Sequence, residues 1–420
     1  MIVFTSCTNN YIPKARVLAQ TVKKFHPEWR FFLVLGEAPP LDFSLSNEPF
    51  DHLLLFDQLH IPNYSEWLFR HRVVEVCTAA KGPALYHFLV REKAEKVIYL
   101  DPDIMVLNSL QPLSDLLDIH DILLTPHQLA PQKDNMSVVD NEISALKHGV
   151  YNLGFVAVSK REQGKGFATW WRDRLLDFCY DDIPQGLFTD QRWCDLAPAF
   201  FSNLHIIRDP GYNAASWNLT DRTITQNKDG VFFANNALLK FYHFTGYDSG
   251  AGKVMTERYA HSMPAVKELW RIYEEKLDQF GHQSLKKEKW KYSFFNSGRE
   301  IQDPMRLLYR SRPDLIQKFP NPFDDSQNGF FDYYETAQRK RTNKVTRNIA
   351  RVKTLTMLTR LYLQERGGIR AVPKLANAVW RAFHQKGITG VISSARGYAS
   401  RIPQKEIFSL NDILSDRKKK

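Results

Sequence analysis

Residues 97–107 read Val97-Ile98-Tyr99-Leu100-Asp101-Pro102-Asp103-Ile104-Met105-Val106-Leu107. Four bulky, strand-favouring side chains end abruptly in two carboxylates one residue apart, the pattern of a buried parallel strand stopping at a polar edge. Pro102 holds Asp101 extended. Both acids therefore leave the strand at its carboxyl end, where open α/β sheets bind ligands. Two hard oxygen donors at that edge can hold a divalent cation against a diphosphate. A D-x-D also arises by chance about once in a chain this long, so its meaning depends on its surroundings.

The surroundings alternate strand and helix. Ile2–Ser6 reads as a strand, Cys7–Tyr11 as a polar turn, and Pro13 suits the first turn of a helix whose apolar face carries Leu18, Val22 and Phe25. Phe31–Leu35 is the next expected strand. A helix is expected after Gly82-Pro83, carrying Leu85, Phe88 and Leu89 into the Asp101 strand. Ile122–Thr125, Gly154–Ser159 and Leu239–Phe244 are further strand candidates, and Phe167–Phe178 reads as a helix. This alternation predicts an α/β layered domain over residues 1–254. Residues 255–336 read as a helical, aromatic extension. In 337–420, Ile349, Val352, Leu355, Leu358 and Leu361 recur at helical spacing among arginines, which predicts a basic amphipathic tail.

Composition narrows the class. Hydrophobic residues make up 43% and charged residues 25% of the chain, as in a soluble globular protein. Aromatics reach 13%, which offers flat surfaces of the kind sugars stack on. The four cysteines, Cys7, Cys77, Cys179 and Cys194, form no C-x-x-C pair and no disulfide framework. Met1–Ser6 lacks the basic region of a signal peptide, and no apolar run has the length of a spanning helix. The expectation is a cytoplasmic protein with reduced thiols. The net charge of +11 is concentrated at one end: residues 339–420 hold 20 Lys and Arg against 4 Asp and Glu, leaving 37 against 42 in the first 338. That asymmetry favours an anionic membrane surface as the partner of the tail, with peripheral placement on the inner face of the cell membrane; a helical linker to another module and a solvated charge run are the other two readings. No nucleic-acid-reading motif accompanies the charge.

Seven segments in order resemble bacterial glycosyltransferases of the GT-A type related to family 8. They are Val3-Phe4-Thr5 with Asn9-Asn10-Tyr11, Cys77-Thr-Ala-Ala-Lys81, Tyr99-Leu-Asp-Pro-Asp103, Tyr151-Asn-Leu-Gly154, Phe188-Thr-Asp-Gln191-Arg-Trp193, Asp209-Pro-Gly-Tyr-Asn213 and Phe241-Tyr-His-Phe-Thr-Gly246. The resemblance covers roughly residues 1–250. It implies a Rossmann-like mixed sheet with flanking helices plus the C-terminal helical extension. It also implies a retaining, hexosyltransferase-type activity on a nucleotide-sugar donor, a UDP-sugar first among them, with a cell-surface glycan or lipid-linked glycan of the lipopolysaccharide or capsule type as acceptor. It assigns Asp101, Asp103 and His243 to Mn²⁺ or Mg²⁺, a set whose hard oxygens and single imidazole suit either ion. Thr5, Asn10 and Tyr11, in the first loop, would read the base. Lys81, opening a helix, would meet phosphate, and Gly246 would let backbone approach it. Asn152, Asp190 and Gln191 would face the donor sugar, where carboxylate or amide oxygens stabilise positive charge on an oxocarbenium-like centre. Asp190 also fits a helix N-cap. Trp193, Asn213 and Trp217 would line the acceptor side, and core packing is an equal reading for the two tryptophans. One departure stands out: the family commonly has a lysine soon after the Gly246 position, followed by Pro-Trp, whereas this chain has Lys253 and no Pro-Trp.

Two rivals come from other classes. A sugar-nucleotide nucleotidyltransferase needs a glycine-rich phosphate loop after strand one, and Thr5–Asn10 contains no glycine. A non-catalytic carbohydrate- or membrane-binding module needs neither Asp101 nor Asp103.

Overall fold

The computed structural model describes residues 1–339; residues 340–420, and with them the expected basic tail beyond Arg339, lie outside the described residues. Met1–Phe330 form one compact unit, and Phe331 begins a second. No helix among the described residues is long and apolar enough to cross a membrane.

A seven-stranded mixed sheet with flanking helices forms the core, as the α/β reading expects. Its first members are β1 (Ile2–Cys7), β2 (Arg30–Leu35), β3 (His52–Leu55) and β4 (Lys96–Leu100). They are joined by β6 (Ile122–Pro126) and β7 (Tyr151–Ser159), while β5 (Ile104–Val106) lies in a separate three-stranded sheet. Across the central sheet the order is Leu204–Ile206, β6, β7, β4, β1, β2, β3. Strand β7 runs antiparallel to both β4 and β6, while the other neighbours are parallel. Every residue of β7 is buried, because helices cover both faces there. It starts at Tyr151, three residues before the expected Gly154. The early residues continue past the end of β4, where Gly154 accepts the Asp101 amide at 2.8 Å.

The helix α1 (Ile12–Phe25) packs Ile12, Ala15, Leu18, Ala19 and Val22 into the sheet core, which confirms the apolar face read from its spacing. The helical stretch before β4 differs from expectation. It begins at Val73 rather than after Gly82, and Ala80 keeps helical dihedrals between Val73–Ala79 and Lys81–Tyr86. Lys81 therefore lies inside a near-continuous helical run and has no free helix N-terminus beside it.

The stretch after residue 254 changes in secondary structure without leaving the core. Helix Pro264–Gln279 buries Val266, Leu269, Tyr273 and Leu277 at helical spacing against Met105, Tyr242 and Phe244. Each such large apolar side chain contributes about 1.5–3 kcal/mol on burial. Further on, the buried Arg306 guanidinium donates to the carbonyls of Leu68, Phe69 and His71 at 3.0–3.2 Å. It thereby satisfies the open end of helix Tyr64–Arg70.

His71 itself is fully buried, with Nδ1 against the Trp67 carbonyl at 2.6 Å. Burial pushes its pKa down to about 3. In the unfolded chain it takes its proton near the ordinary value of about 6.5. The folded value lies below the unfolded one, so its contribution to stability is complete above pH 6.5 and is lost as pH falls toward 3. Wild-type unfolding free energy is expected to fall by up to about 1.4 kcal/mol per pH unit from this group across that window. In His71→Asn, which keeps a donor near the Nδ1 position, denaturant melts between pH 6.5 and 4.5 are expected to show a correspondingly flatter slope.

Candidate metal and donor site

Three elements converge at the carboxyl end of β4. Asp101 and Asp103 lie in the turn between β4 and β5. The short strand Phe241–His243 pairs antiparallel with β5, matching His243 to Ile104, and the Phe244 amide donates to the Asp103 carbonyl at 2.8 Å. That register carries the imidazole to the carboxylates. His243 Nε2 lies 3.0 Å from Asp103 Oδ1 and 3.7 Å from Asp101 Oδ2. Among the described residues, Asp101, Asp103 and His243 form a group whose ligand atoms all fall within 4.8 Å of one another.

The chemistry of the set fits a hard divalent cation. The other ring nitrogen of His243, Nδ1, faces Asn213 Oδ1 at 3.3 Å. Donation from Nδ1 to that amide oxygen leaves the Nε2 lone pair turned toward the carboxylates, the arrangement a metal-ligating histidine needs. Burial works against an ionised Asp103, but the His243 ring in its charged form, and then Lys14, hold its pKa below the usual carboxylate range. Asp101 and Asp103 keep side-chain exposures of 25% and 14%, so both remain open to a ligand.

Gly154 is required where β7 passes His243. A Cβ there would stand 2.4 Å from His243 Cε1 and 2.7 Å from Asn152 Oδ1. Gly154→Ala is therefore expected to push the imidazole off its position and weaken Mn²⁺ binding by tenfold or more, the scale set by disturbing a ligand's support. Calorimetric titration of Mn²⁺ into both proteins checks this, with circular dichroism confirming that the variant is folded.

Lys81 is placed differently from expectation. Its ammonium is 2–3% exposed and lies 2.8 Å from Asp190 Oδ2, 3.1 Å from Asp101 Oδ1 and 3.0 Å from the Leu153 carbonyl. It also sits 4.5 Å above the Tyr99 ring, whose hydroxyl donates to Asp101. Burial favours the neutral amine, but Asp101 and Asp190 reverse that and raise its pKa. Burial also keeps Asp190 above the ordinary range, even with Lys81 beside it. Asp190 occupies the N-cap position of the short helix Gln191–Cys194 without capping it; its carboxylate goes to Lys81 instead.

The other expected residues divide. Asn152 accepts from the Gly154 amide and from Asn213 Nδ2, both at 3.0 Å, and its own amide meets His127 Nε2 at 3.1 Å. Gln191 bridges the Leu153 amide and the His148 carbonyl. Both border a cavity of about 660 Å³ together with Lys81, Asp101, Asp190 and His243. Gly246, at φ +70°, borders it too. Trp217 lines the same cavity edge-on to His243, while Asn213 is buried beneath. Trp193 donates its indole N–H to the Phe178 carbonyl. A second cavity of about 230 Å³ is bordered by Asn10, Tyr11, Cys77, Lys81, Asp101 and Asp103. The two cavities share Lys81 and Asp101.

Thr5 is not in the first loop. Strand β1 runs on to Cys7, and Thr5 pairs with Leu33 inside the sheet, fully buried. Lys253 lies on helix Ala251–Tyr259, where Gly252 and Met255 border the large cavity and Lys253 borders a separate groove with Glu257 and Trp270. Sequence reading missed two residues. Glu37, after β2, brings a carboxylate to the first loop and spends it on the Asn9 and Lys291 amides. Lys14 is buried beside Tyr11. Only its place three positions after Tyr11, on the helix face that also carries the core residues, hinted at it.

No family model matches the chain. Two curated Bacillus subtilis (strain 168) proteins described as uncharacterized are similar. YfnF is 27% identical over 180 residues, covering 42% of this chain and 59% of that protein. YfnD is 27% identical over 209 residues, covering 48% of this chain and 64% of that protein. The chain thus spans about three fifths of the length of each. Solved structures with some likeness include the galactosyltransferase LgtC in complex with donor and acceptor sugar analogs, at TM-score 0.35 and 16% identity, covering 65% of this chain and 100% of that one. Mouse xyloside xylosyltransferase 1 matches at TM-score 0.36 and 11% identity, covering 58% and 97%. The glycosyltransferase GlyE of Streptococcus pneumoniae TIGR4 matches at 0.38 and 15%, covering 70% and 66%.

Proposed function

We infer that this chain is a metal-dependent glycosyltransferase taking its sugar from a nucleotide donor. The observation that carries the reading is the Asp101–Asp103–His243 group, standing where two cavities meet at the carboxyl end of a buried strand. The smaller cavity, with Tyr11 on its wall, suits a nucleobase stacked on the ring. The larger one suits the donor sugar and an acceptor. A diphosphate spanning the two would pass the three ligands, and a divalent cation held there would neutralise charge on the departing nucleoside diphosphate. Lys81 fixes Asp101 for the metal and Asp190 for the sugar side, so one buried cation sets both halves of the site. Asn152 and Gln191 then hold the wall between β7 and Asp190. Retention of configuration, a UDP-type donor and a lipid-linked or surface glycan as acceptor belong to the same proposal and follow from the family resemblance. The basic segment beyond residue 339 would draw the enzyme to an anionic membrane.

Hydrolysis of UDP-, GDP- and TDP-sugars by the purified protein, with Mn²⁺ or Mg²⁺ and with EDTA, tests the reading. Turnover that requires the metal supports it. A folded protein that binds none of these donors defeats it and favours a non-catalytic carbohydrate-binding module.

A further inference from the structure

The donor corner lacks its expected lysine, because Lys253 borders a different groove. It holds another cation. Lys14, in the first turn of α1, is 1% exposed, and its Nζ lies 2.5 Å from Asp248 Oδ2 in the loop Thr245–Gly250. The same ammonium stands 4.1 Å from the centre of the Tyr11 ring and 5.4 Å from that of Tyr247. His282 Nε2 faces Asp248 from the other side at 3.7 Å.

The loop that Asp248 sits in begins two residues after the metal-site histidine. Its Thr245 and Gly246 border the larger cavity, and Tyr11 borders the smaller one. One ion pair thus joins two segments of the site that are far apart in sequence: the start of α1 with the Tyr11 ring, and the stretch from His243 through the Gly246 backbone. An ion pair with one end exposed adds little net stability, and the best-attested use of a fixed pair is to specify one geometry.

We propose that Lys14 and Asp248 are positioning residues of the donor site. The pair holds the Thr245–Gly250 loop and the Tyr11 ring in the arrangement that receives a nucleoside diphosphate and its cation. Lys14 acts from beneath the ring, through Asp248 and Tyr11, and touches neither the sugar nor the reacting atoms. The inference rests on the transferase reading and deepens it: it assigns donor affinity to residues that no motif identifies.

The test uses the full chain with UDP and Mn²⁺. Lys14→Met and Asp248→Asn are each expected to weaken UDP binding by roughly tenfold to a hundredfold, the range for one charge-assisted contact. Donor hydrolysis should show the loss in KM, with kcat within about threefold. The double variant should be no worse than either single variant, because both remove the same pair. Lys14→Arg should recover most of the affinity. UDP affinity unchanged in Asp248→Asn, or additive losses in the double variant, would overturn the proposal. A fall in kcat matching the fall in stability, with KM unchanged, would overturn it too, by reducing the pair to a scaffold. If Lys14→Met does not fold, Asp248→Asn carries the test, since Asp248 is 39% exposed. Wild-type protein that binds no nucleoside diphosphate defeats the transferase reading itself, whereas wild-type binding retained in both variants defeats this inference alone.

Discussion

Asp103→Asn is expected to abolish metal-dependent donor turnover, with a loss of about a thousandfold or more in kcat/KM, the scale of a lost metal contribution to charge stabilisation. The substitution keeps the side-chain shape but replaces, with a neutral amide, one of the two carboxylates among three ligands whose atoms lie within 4.8 Å of each other. It also removes the carboxylate that His243 faces at 3.0 Å. Because Asp103 keeps some exposure, the change should leave the fold intact, with a melting temperature within a few degrees of wild type. Steady-state hydrolysis with a Mn²⁺ titration checks it. Full activity in Asp103→Asn, or activity that EDTA leaves untouched in the wild type, would count against a metal site.

Lys81→Met is expected to have the largest effect on stability. It leaves Asp101 and the buried Asp190 without their shared cation, and breaking a buried ion pair from one side costs about 3–5 kcal/mol. Apolar contacts made by the methionine over Tyr99 offset little of this, because the cost lies in the uncompensated carboxylates. The double variant Lys81→Met with Asp190→Asn should recover much of the stability, since it removes the acid that is buried most deeply. It should not recover activity, because Asp101 remains unanchored for the metal. Denaturant melts of the four proteins of the cycle give the coupling directly. A cycle without coupling would show that Lys81 and Asp190 act independently, contrary to their 2.8 Å contact.

Much of this site was readable one segment at a time. The run Val97–Leu100 is apolar without interruption and stops at two acids, so both the strand and its edge follow from local preference. The strand Phe241–His243 and the helix α1 announce themselves in the same way. The errors arose where local signals were ambiguous. Gly82-Pro83 looks like a helix start, yet the helical run begins at Val73 and continues through Ala80, so Pro83 falls within it. Thr5 falls inside the strand Ile2–Ser6 read from local preference, and pairing with Leu33 keeps it there rather than in the first loop, where the family resemblance put it. The change of composition near residue 254 marked a change from strands to helices and not a break in packing, since Val266, Leu269 and Tyr273 close the same core as Tyr242 and Phe244.

The sequence by itself determined the apolar strands, the acids at the end of β4 and the residue types able to bind a metal, because each depends on neighbours a few positions away. Tertiary structure alone decided which charges meet. His243 reaches Asp103 through strand register, Lys81 spans Asp101 and Asp190, and Lys14 finds Asp248 across 234 positions. Coulomb attraction acts through space, and its strength is set by distance and burial. Neither is written in the local order of residues.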